Sequence, residues 1–186
     1  MDKINKQKPI YIKNLLSKDE LNMFSNYAHL FHENNTGNID LYNDIQTEFF
    51  ETKSYGDTLS DSLLVSKREV IEKTINAKLL PSYAYWRMYI QYSKLPKHQD
   101  RPSCEITISI NIGSDKPWPL FVNNDEFYIG EGDGLLYFGN ELEHYRNEYD
   151  GDYSCNLFFH YVLKDGENAN EQLDGRAGLG KFIYKD

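Results

Sequence analysis

The stretch KHQDRPSCEITISINIG, residues 97–113, decides how the rest of the chain is read. Its second half alternates without a break. Ile106, Ile108, Ile110 and Ile112 fall on one side, and Glu105, Thr107, Ser109 and Asn111 on the other. A period of two marks a strand with one apolar face. Its first half holds His98-Gln99-Asp100, an imidazole and a carboxylate two residues apart. In an extended segment such positions share a face, so both side chains can grip one metal ion. Two histidines and one carboxylate form the facial triad, which leaves three coordination positions open. A three-residue match is frequent by chance, so the reading needs a third ligand and a fitting scaffold.

Working outward, the flanks supply more strands. Residues 83–92, YAYWRMYIQY, are aromatic and extended. Short strands are expected at 120–122, 126–129, 135–138 and 156–163, set apart by Pro117-Trp118-Pro119, Asn123-Asn124-Asp125 and the glycine-rich turn at 130–134. Many short strands with such turns suggest a barrel or a two-sheet jelly roll. Before them the period changes. After a short strand at Ile10-Tyr11-Ile12, Ser17 and Glu20 form a capping box. Leu21, Phe24, Ala28 and Phe31 then predict a helix to about His32, ended by a loop at 34–38. Residues 39–55 carry no clear period. Beyond Gly56-Asp57 a second helix sets Leu59, Leu63, Leu64, Val70, Ile71 and Ile75 on one side, closed by Pro81. Helices followed by strands give an α+β chain with the helices covering one sheet. The tail from Lys164 is polar and glycine-rich and ends in Phe182-Ile183-Tyr184; it is expected to be partly loose, with a short docked element.

At 186 residues the chain is read as one domain. A hydrophobic content of 40% with 15% aromatic residues supports a true core and excludes a disordered chain. A net charge of −9 argues against a nucleic-acid groove, which needs a basic stripe. No apolar run approaches the roughly 20 residues that span a bilayer. The opening residues, MDKINKQKPIYIKNLL, lack the apolar region of a signal peptide. Cys104 and Cys155 have no CxxC partner and are expected as reduced thiols, which points to a cytoplasmic protein without membrane attachment.

Of the five histidines, His29 and His32 sit on the first helix with no third ligand beside them and are read as surface or packing groups. His144 is different, because it follows Gly132-Asp133-Gly134-Leu135-Leu136-Tyr137 in the strand-rich half. The order continues through Arg87, Tyr89, His98, Asp100, Arg101, Cys104, Glu105, Trp118, Pro119, Gly132, Asp133, Leu136, Tyr137, Glu141, Leu142, His144, Arg146, Phe158, His160 and Tyr161. This pattern resembles the iron(II)- and 2-oxoglutarate-dependent dioxygenases, and within them the small prolyl-hydroxylase-type oxygenases. The resemblance covers residues 83–163 and implies a double-stranded β-helix, the cupin-like jelly roll, over 81–164. Residues 1–80 would be a mainly helical support and 165–186 the tail. It further implies Fe(II) held by His98, Asp100 and His144, with 2-oxoglutarate and O2 as cosubstrates. The implied reaction is hydroxylation of a peptide side chain or a small molecule, with release of succinate and CO2.

The far carboxylate of 2-oxoglutarate needs a cation, because an unpaired buried charge is costly. Many relatives keep an Arg or Lys nine to eleven residues after the second histidine, where this chain has Tyr153, Ser154 and Cys155. Arg146, on the parity of His144, and Arg87, on that of Tyr89, are the substitutes. Tyr89, Asn156 and His160 are the other expected cosubstrate contacts; Ser154, Asn156, Phe158 and His160 share one parity as a pocket row, with Thr107 and Ser109 as further lining. His160 competes as a ligand but is read as pocket wall. Arg101 and Glu105 either hold Asp100 in place from outside the metal or form a loop salt bridge. Cys104 is read as a small buried residue, since no adjacent base activates it. The displaced cation leaves one alternative open: a cupin-like protein that binds a metal or ligand without oxygenase activity.

Overall fold

The isoleucine row becomes one face of the larger sheet, turned toward the helices. A computed structural model of the chain describes residues 5–35 and 52–180. In chain order the elements are β1 (Ile10–Ile12), α1 (Lys18–Asn35), β2 (Thr52–Tyr55), α2 (Thr58–Ile75), β3 (Leu79–Ile90), β4 (Leu95–His98), β5 (Ile106–Ser114), β6 (Leu120–Val122), β7 (Asp125–Phe127), β8 (Gly134–Tyr137), β9 (His144–Arg146) and β10 (Tyr153–Leu163). The larger sheet runs β1-β8-β5-β10-β3-β2 and the smaller β4-β9-β6-β7. All strand pairs are antiparallel. The arrangement is the α+β jelly roll expected, with both helices on the larger sheet.

Local chemistry explains the helices. The Ser17 N–H donates to Glu20 Oε2 at 2.8 Å and the Glu20 N–H to Ser17 Oγ at 3.3 Å, so the capping box forms. Helix α1 then buries Phe24 and Ala28 and runs to Asn35, past the expected end. Asp57 caps α2 by accepting from the Leu59 and Ser60 N–H groups. That helix buries Leu63, Leu64, Ile71 and Ile75. Val70, expected on the same face, is 47% exposed. At about 100° per residue it lies off the stripe that Leu64, Ile71 and Ile75 define.

Pro81 does not close the helical region, as expected, but lies inside β3. The ladder shifts there: His160 pairs with Tyr83 and Tyr161 with Pro81, leaving Ser82 extra. A bulge is where a strand tolerates proline, whose missing N–H would break a regular ladder. Residues 52–55, untyped in sequence, form β2 on the edge beside β3. Asn123 and Asn124, both at positive φ, make the two-residue turn between β6 and β7.

Ile106, Ile108, Ile110 and Ile112 join Phe24, Leu64, Ile71 and Trp86 in one core cluster under the helices. The alternate residues Thr107 and Ser109 are equally buried, on the face turned toward the smaller sheet. The tail from Lys164 is described as far as Gly180. Residues 169–175 form short 3-10 turns broken by a kink at Gln172–Asp174, and Arg176 beyond them is buried against Asp61. The loop from Thr36 and the terminal Phe182-Ile183-Tyr184 lie outside the described residues. Both cysteines are free and buried. Among the described residues no helix is long and apolar enough to cross a membrane.

Candidate metal centre and active-site pocket

Strand β4 ends on His98 and β9 begins on His144, and the two are direct register partners. Their ring centroids are 4.3 Å apart. Asp100 follows β4 in a loop fixed from behind by its own N–H, which donates to the Gly139 carbonyl at 2.8 Å. Asp100 Oδ1 lies 3.6 Å from His98 Nε2 and 3.7 Å from His144 Nε2. The donor atoms of the three side chains all fall within 4.8 Å of one another.

Each imidazole is held in one tautomer. His98 Nδ1 lies 2.8 Å from the Pro96 carbonyl and His144 Nδ1 2.9 Å from the Leu142 carbonyl. A carbonyl only accepts, so both Nδ1 atoms carry the proton and both Nε2 atoms keep a lone pair aimed at the common point. Thr107 Oγ1 donates to Asp100 Oδ2 at 3.0 Å and, its proton so used, accepts from His160 Nδ1 at 3.1 Å. Two neutral nitrogens and one carboxylate oxygen, oriented from outside, fit a divalent transition metal.

The electrostatics agree. Burial works against ionising Asp100, but the neighbouring His98, His144 and His160 outweigh it and hold the carboxyl at about 2. Burial lowers His144 and drops His160 to about 4, so both stay neutral near pH 7. In His98 burial is outweighed by the Asp100 carboxylate and the Pro96 carbonyl, and its pKa rises, so a metal at Nε2 takes the place of a proton there. The centre therefore carries an ionised carboxylate beside the buried neutral imidazoles of His144 and His160.

Gly139 is a packing requirement that the sequence alone does not flag. A Cβ there would stand 2.4 Å from Asp100 Oδ2, 2.5 Å from Thr107 Oγ1 and 2.9 Å from the Cys104 carbonyl. Gly139→Ala is expected to push Asp100 off the common point and weaken metal binding by about 10- to 100-fold, the usual cost of losing outer support. Calorimetric titration with Co(II) measures it; unchanged affinity would refute the role.

The triad opens into a cavity of about 810 Å³ walled by both sheets. Tyr83, Tyr85, Arg87, Tyr89, Phe158 and His160 come from the larger sheet, and Leu95, Leu120 and His144 from the smaller. The Tyr83 ring packs tilted against His160 at 4.5 Å and that of Tyr55 against Tyr83 at 4.6 Å, giving an aromatic wall. Arg87 is 2% exposed, and its Nε and Nη2 donate to Tyr85 Oη at 2.8 and 2.6 Å.

The expected cosubstrate residues divide. Arg87, Tyr89 and His160 line this cavity, whereas Arg146 and Asn156 line a separate one of about 510 Å³. The two cavities share no lining residue. Arg146 is buried, its Nη1 donating to the Trp118 carbonyl and its Nη2 to Asn156 Oδ1 at 2.9 Å. Of the two candidates beside Asp100, Arg101 reaches Asp174 at 2.5 Å, and Glu105 accepts the Leu163 N–H at 3.0 Å. The side chain that does hold Asp100 is Thr107. Asp174 also accepts from Tyr55 Oη, tying the tail to the pocket mouth. No local pattern marks Asp174; its role depends on a contact more than a hundred residues away in sequence.

No protein-family model matches the chain, and no curated protein matches it either. Solved structures do. The viral collagen prolyl hydroxylase of Paramecium bursaria Chlorella virus-1, in complex with 2-oxoglutarate, aligns with a TM-score of 0.63 at 11% identity, covering 85% of this chain and 97% of that one. A prolyl-4-hydroxylase of Pseudomonas putida gives 0.63 at 10% identity, over 86% and 94%. The fold is that of the 2OG-Fe(II) oxygenases. HygX of Streptomyces hygroscopicus, solved with nickel, 2-oxoglutarate and hygromycin B, shares it with a TM-score of 0.64 at 12% identity, over 86% of this chain and 84% of that one.

Proposed function

We propose that the chain is a non-haem iron(II)- and 2-oxoglutarate-dependent oxygenase, with His98, Asp100 and His144 holding the metal. The observation that carries this is the convergence of His98 Nε2, His144 Nε2 and Asp100 Oδ1 on one point at the wall of a cavity in this fold. Iron, when bound, supplies the redox chemistry that couples decarboxylation of 2-oxoglutarate to hydroxylation of a second substrate.

The chain's own residues do the rest. Asp100 supplies the single negative charge at the metal, Thr107 fixes its carboxylate plane, and the Pro96 and Leu142 carbonyls fix the imidazoles. Lys53, Arg87 and Arg101 all stand in the wall of the same cavity, and Arg87 is the buried one, so it is assigned to the far carboxylate of 2-oxoglutarate. Tyr85 Oη holds the guanidinium in place, and the Tyr89 ring lies 5.4 Å from it. Aromatic walls exclude water, which strengthens the charge pair. The second substrate is a small molecule or an amino-acid side chain, either of which the cavity admits.

Arg87→Met is expected to raise KM for 2-oxoglutarate about thirtyfold or more, the 2–5 kcal/mol typical of truncating one partner of a buried charge pair. Iron affinity should stay unchanged. The decisive assay for the function is succinate formation from 2-oxoglutarate after anaerobic loading with Fe(II) and admission of O2. Metal and 2-oxoglutarate binding without succinate would assign the chain to the cupin-like binding proteins instead.

A further inference from the structure

The wall of the metal cavity offers an acceptor that the oxygenase reading leaves unused. His160 comes from β10 and lines the cavity. Thr107 Oγ1 lies 3.0 Å from Asp100 Oδ2, 3.1 Å from the Cys104 carbonyl and 3.1 Å from His160 Nδ1. A hydroxyl has one proton, and an ionised carboxylate and a carbonyl only accept. The Thr107 proton therefore goes to one of those two, and His160 Nδ1 is the donor in the third contact. Desolvation keeps a ring 6% exposed neutral, so its Nε2 carries a lone pair. Among the described residues Nε2 has no hydrogen-bond partner, and it is not sealed from contact as the unpartnered Ser109 Oγ is. The hydroxyls along this wall are engaged elsewhere: Tyr83 Oη lies 3.1 Å from Cys104 Sγ, and Tyr55 Oη donates to Asp174. The donor that Nε2 lacks has to come from a ligand.

A platform for that ligand stands beside it. Phe158 precedes His160 by two residues on the same face of β10, roughly 7 Å along the strand. The Tyr85 ring stacks on it, with centroids 5.9 Å apart and planes 28° from parallel. Both residues are half-buried and line the cavity. A six-membered ring laid against this pair brings a substituent on its edge to Nε2. Charge limits the kind of donor. Lys53, Arg87 and Arg101 stand in the wall against Asp100, and a metal adds further positive charge, so an ammonium donor is repelled and a neutral O–H or N–H is not.

We propose that the second substrate is a ring compound with a neutral O–H or N–H donor, its ring against Phe158 and Tyr85 and its donor bonded to His160 Nε2. His160 then selects and positions the substrate without holding the metal. The cavity of about 810 Å³ lies in the range that takes drug-sized ligands, which leaves room for a small ring beside the cosubstrate. That the ligand is a substrate rests on the oxygenase reading; that it binds here rests on the wall alone.

The probes are phenol and anisole, the same ring with and without the donor. The full chain, labelled with 15N-histidine and loaded with Zn(II) and 2-oxoglutarate, is followed by long-range 1H–15N correlation, which tells a protonated ring nitrogen from a bare one. Before any probe is added, His160 should show the Nδ1–H tautomer with a bare Nε2. Phenol should move that Nε2 signal saturably. Anisole should leave it in place and bind about three- to tenfold more weakly, for want of one hydrogen bond. His160→Phe, which keeps a ring against Tyr83, should bind the two probes alike. Phe158→Ala should weaken both together, by about threefold or more. Should His160→Phe fail to fold, the wild-type tautomer and the phenol-to-anisole ratio decide. An Nε2–H tautomer, a zinc-bound Nε2, absence of a saturable shift, equal affinity for the two probes in the wild type, or a phenol preference kept in His160→Phe would each overturn the proposal. With Fe(II) in place of zinc, phenol should speed succinate formation in the wild type and not in His160→Phe. Succinate formation indifferent to phenol would overturn the substrate class while the oxygenase assignment stands, whereas phenol bound at His160 without any succinate would fault that assignment and keep the site.

Discussion

Alanine at His144 is expected to abolish metal binding and turnover together. His144 is 3% exposed, held by the Leu142 carbonyl on one side, and offers Nε2 to the centre on the other. No neighbouring group replaces that lone pair. The second possible ligand set, Asp100 with Cys104 and His160, shares only Asp100 with the first. Burial pushes the Cys104 thiol up to about 12, and Tyr83 Oη lies 3.1 Å from its sulfur, so the thiolate a metal needs is not at hand. Succinate formation in His144→Ala should therefore fall by about a thousandfold or more, roughly 4 kcal/mol at 1.4 kcal/mol per tenfold. Co(II) titration should show no binding at micromolar metal. Cys104→Ala should bind the metal as wild type does. If instead Cys104→Ala loses the metal and His144→Ala keeps it, the centre has been placed on the wrong side of Asp100.

How far the sequence carried this reading depends on whether a feature is local. The β5 alternation, the capping box at Ser17 and the asparagine turn are local, and each forms as its chemistry dictates. The pairing of His98 with Asp100 was legible for a partly different reason than its spacing suggests. Two residues apart on a strand would share a face, but only His98 is in β4. Asp100 lies in the following loop and turns inward because the Gly139 carbonyl and Thr107 hold it. Thr107 gains that role because the 3-10 turn at Pro102–Cys104 folds the chain back, which no period reveals. Parity was the weaker guide along β10. Asn156 and His160 do share a face, yet four residues of strand separate them by roughly 13 Å, so they serve different cavities. A parity rule assigns a face and leaves depth undetermined. The tail's anchor is one arginine in a polar stretch, and composition averages it away.

That anchor carries the largest stability effect expected in the chain. Arg176 and Asp61 are paired at 2.8 Å with side chains 0% and 2% exposed. Arg176 also donates to the Gly56 and Ser82 carbonyls, and Asp61 accepts from the Ala84 and Gly180 N–H groups. Gly56 is fitted to this arrangement, since a Cβ on it would stand 2.1 Å from Arg176 Nη1. Asp61→Ala leaves a buried guanidinium without its counter-ion, a loss of about 3–5 kcal/mol. At about 2–4 °C per kcal/mol for a chain of this size, the melting temperature should drop by roughly 10 °C. Replacing both partners, Asp61→Leu with Arg176→Met, should recover much of it, because no unpaired charge then remains. The consequence reaches the pocket through Asp174, two residues before the anchor, which holds Arg101 and Tyr55 at the mouth. The metal donors are held by Gly139, Thr107, Pro96 and Leu142, none of which belongs to this segment. Below its melting temperature Asp61→Ala should accordingly bind Co(II) with wild-type affinity, and a loss of metal binding that parallels the loss of stability would show the tail and the centre to be one cooperative unit.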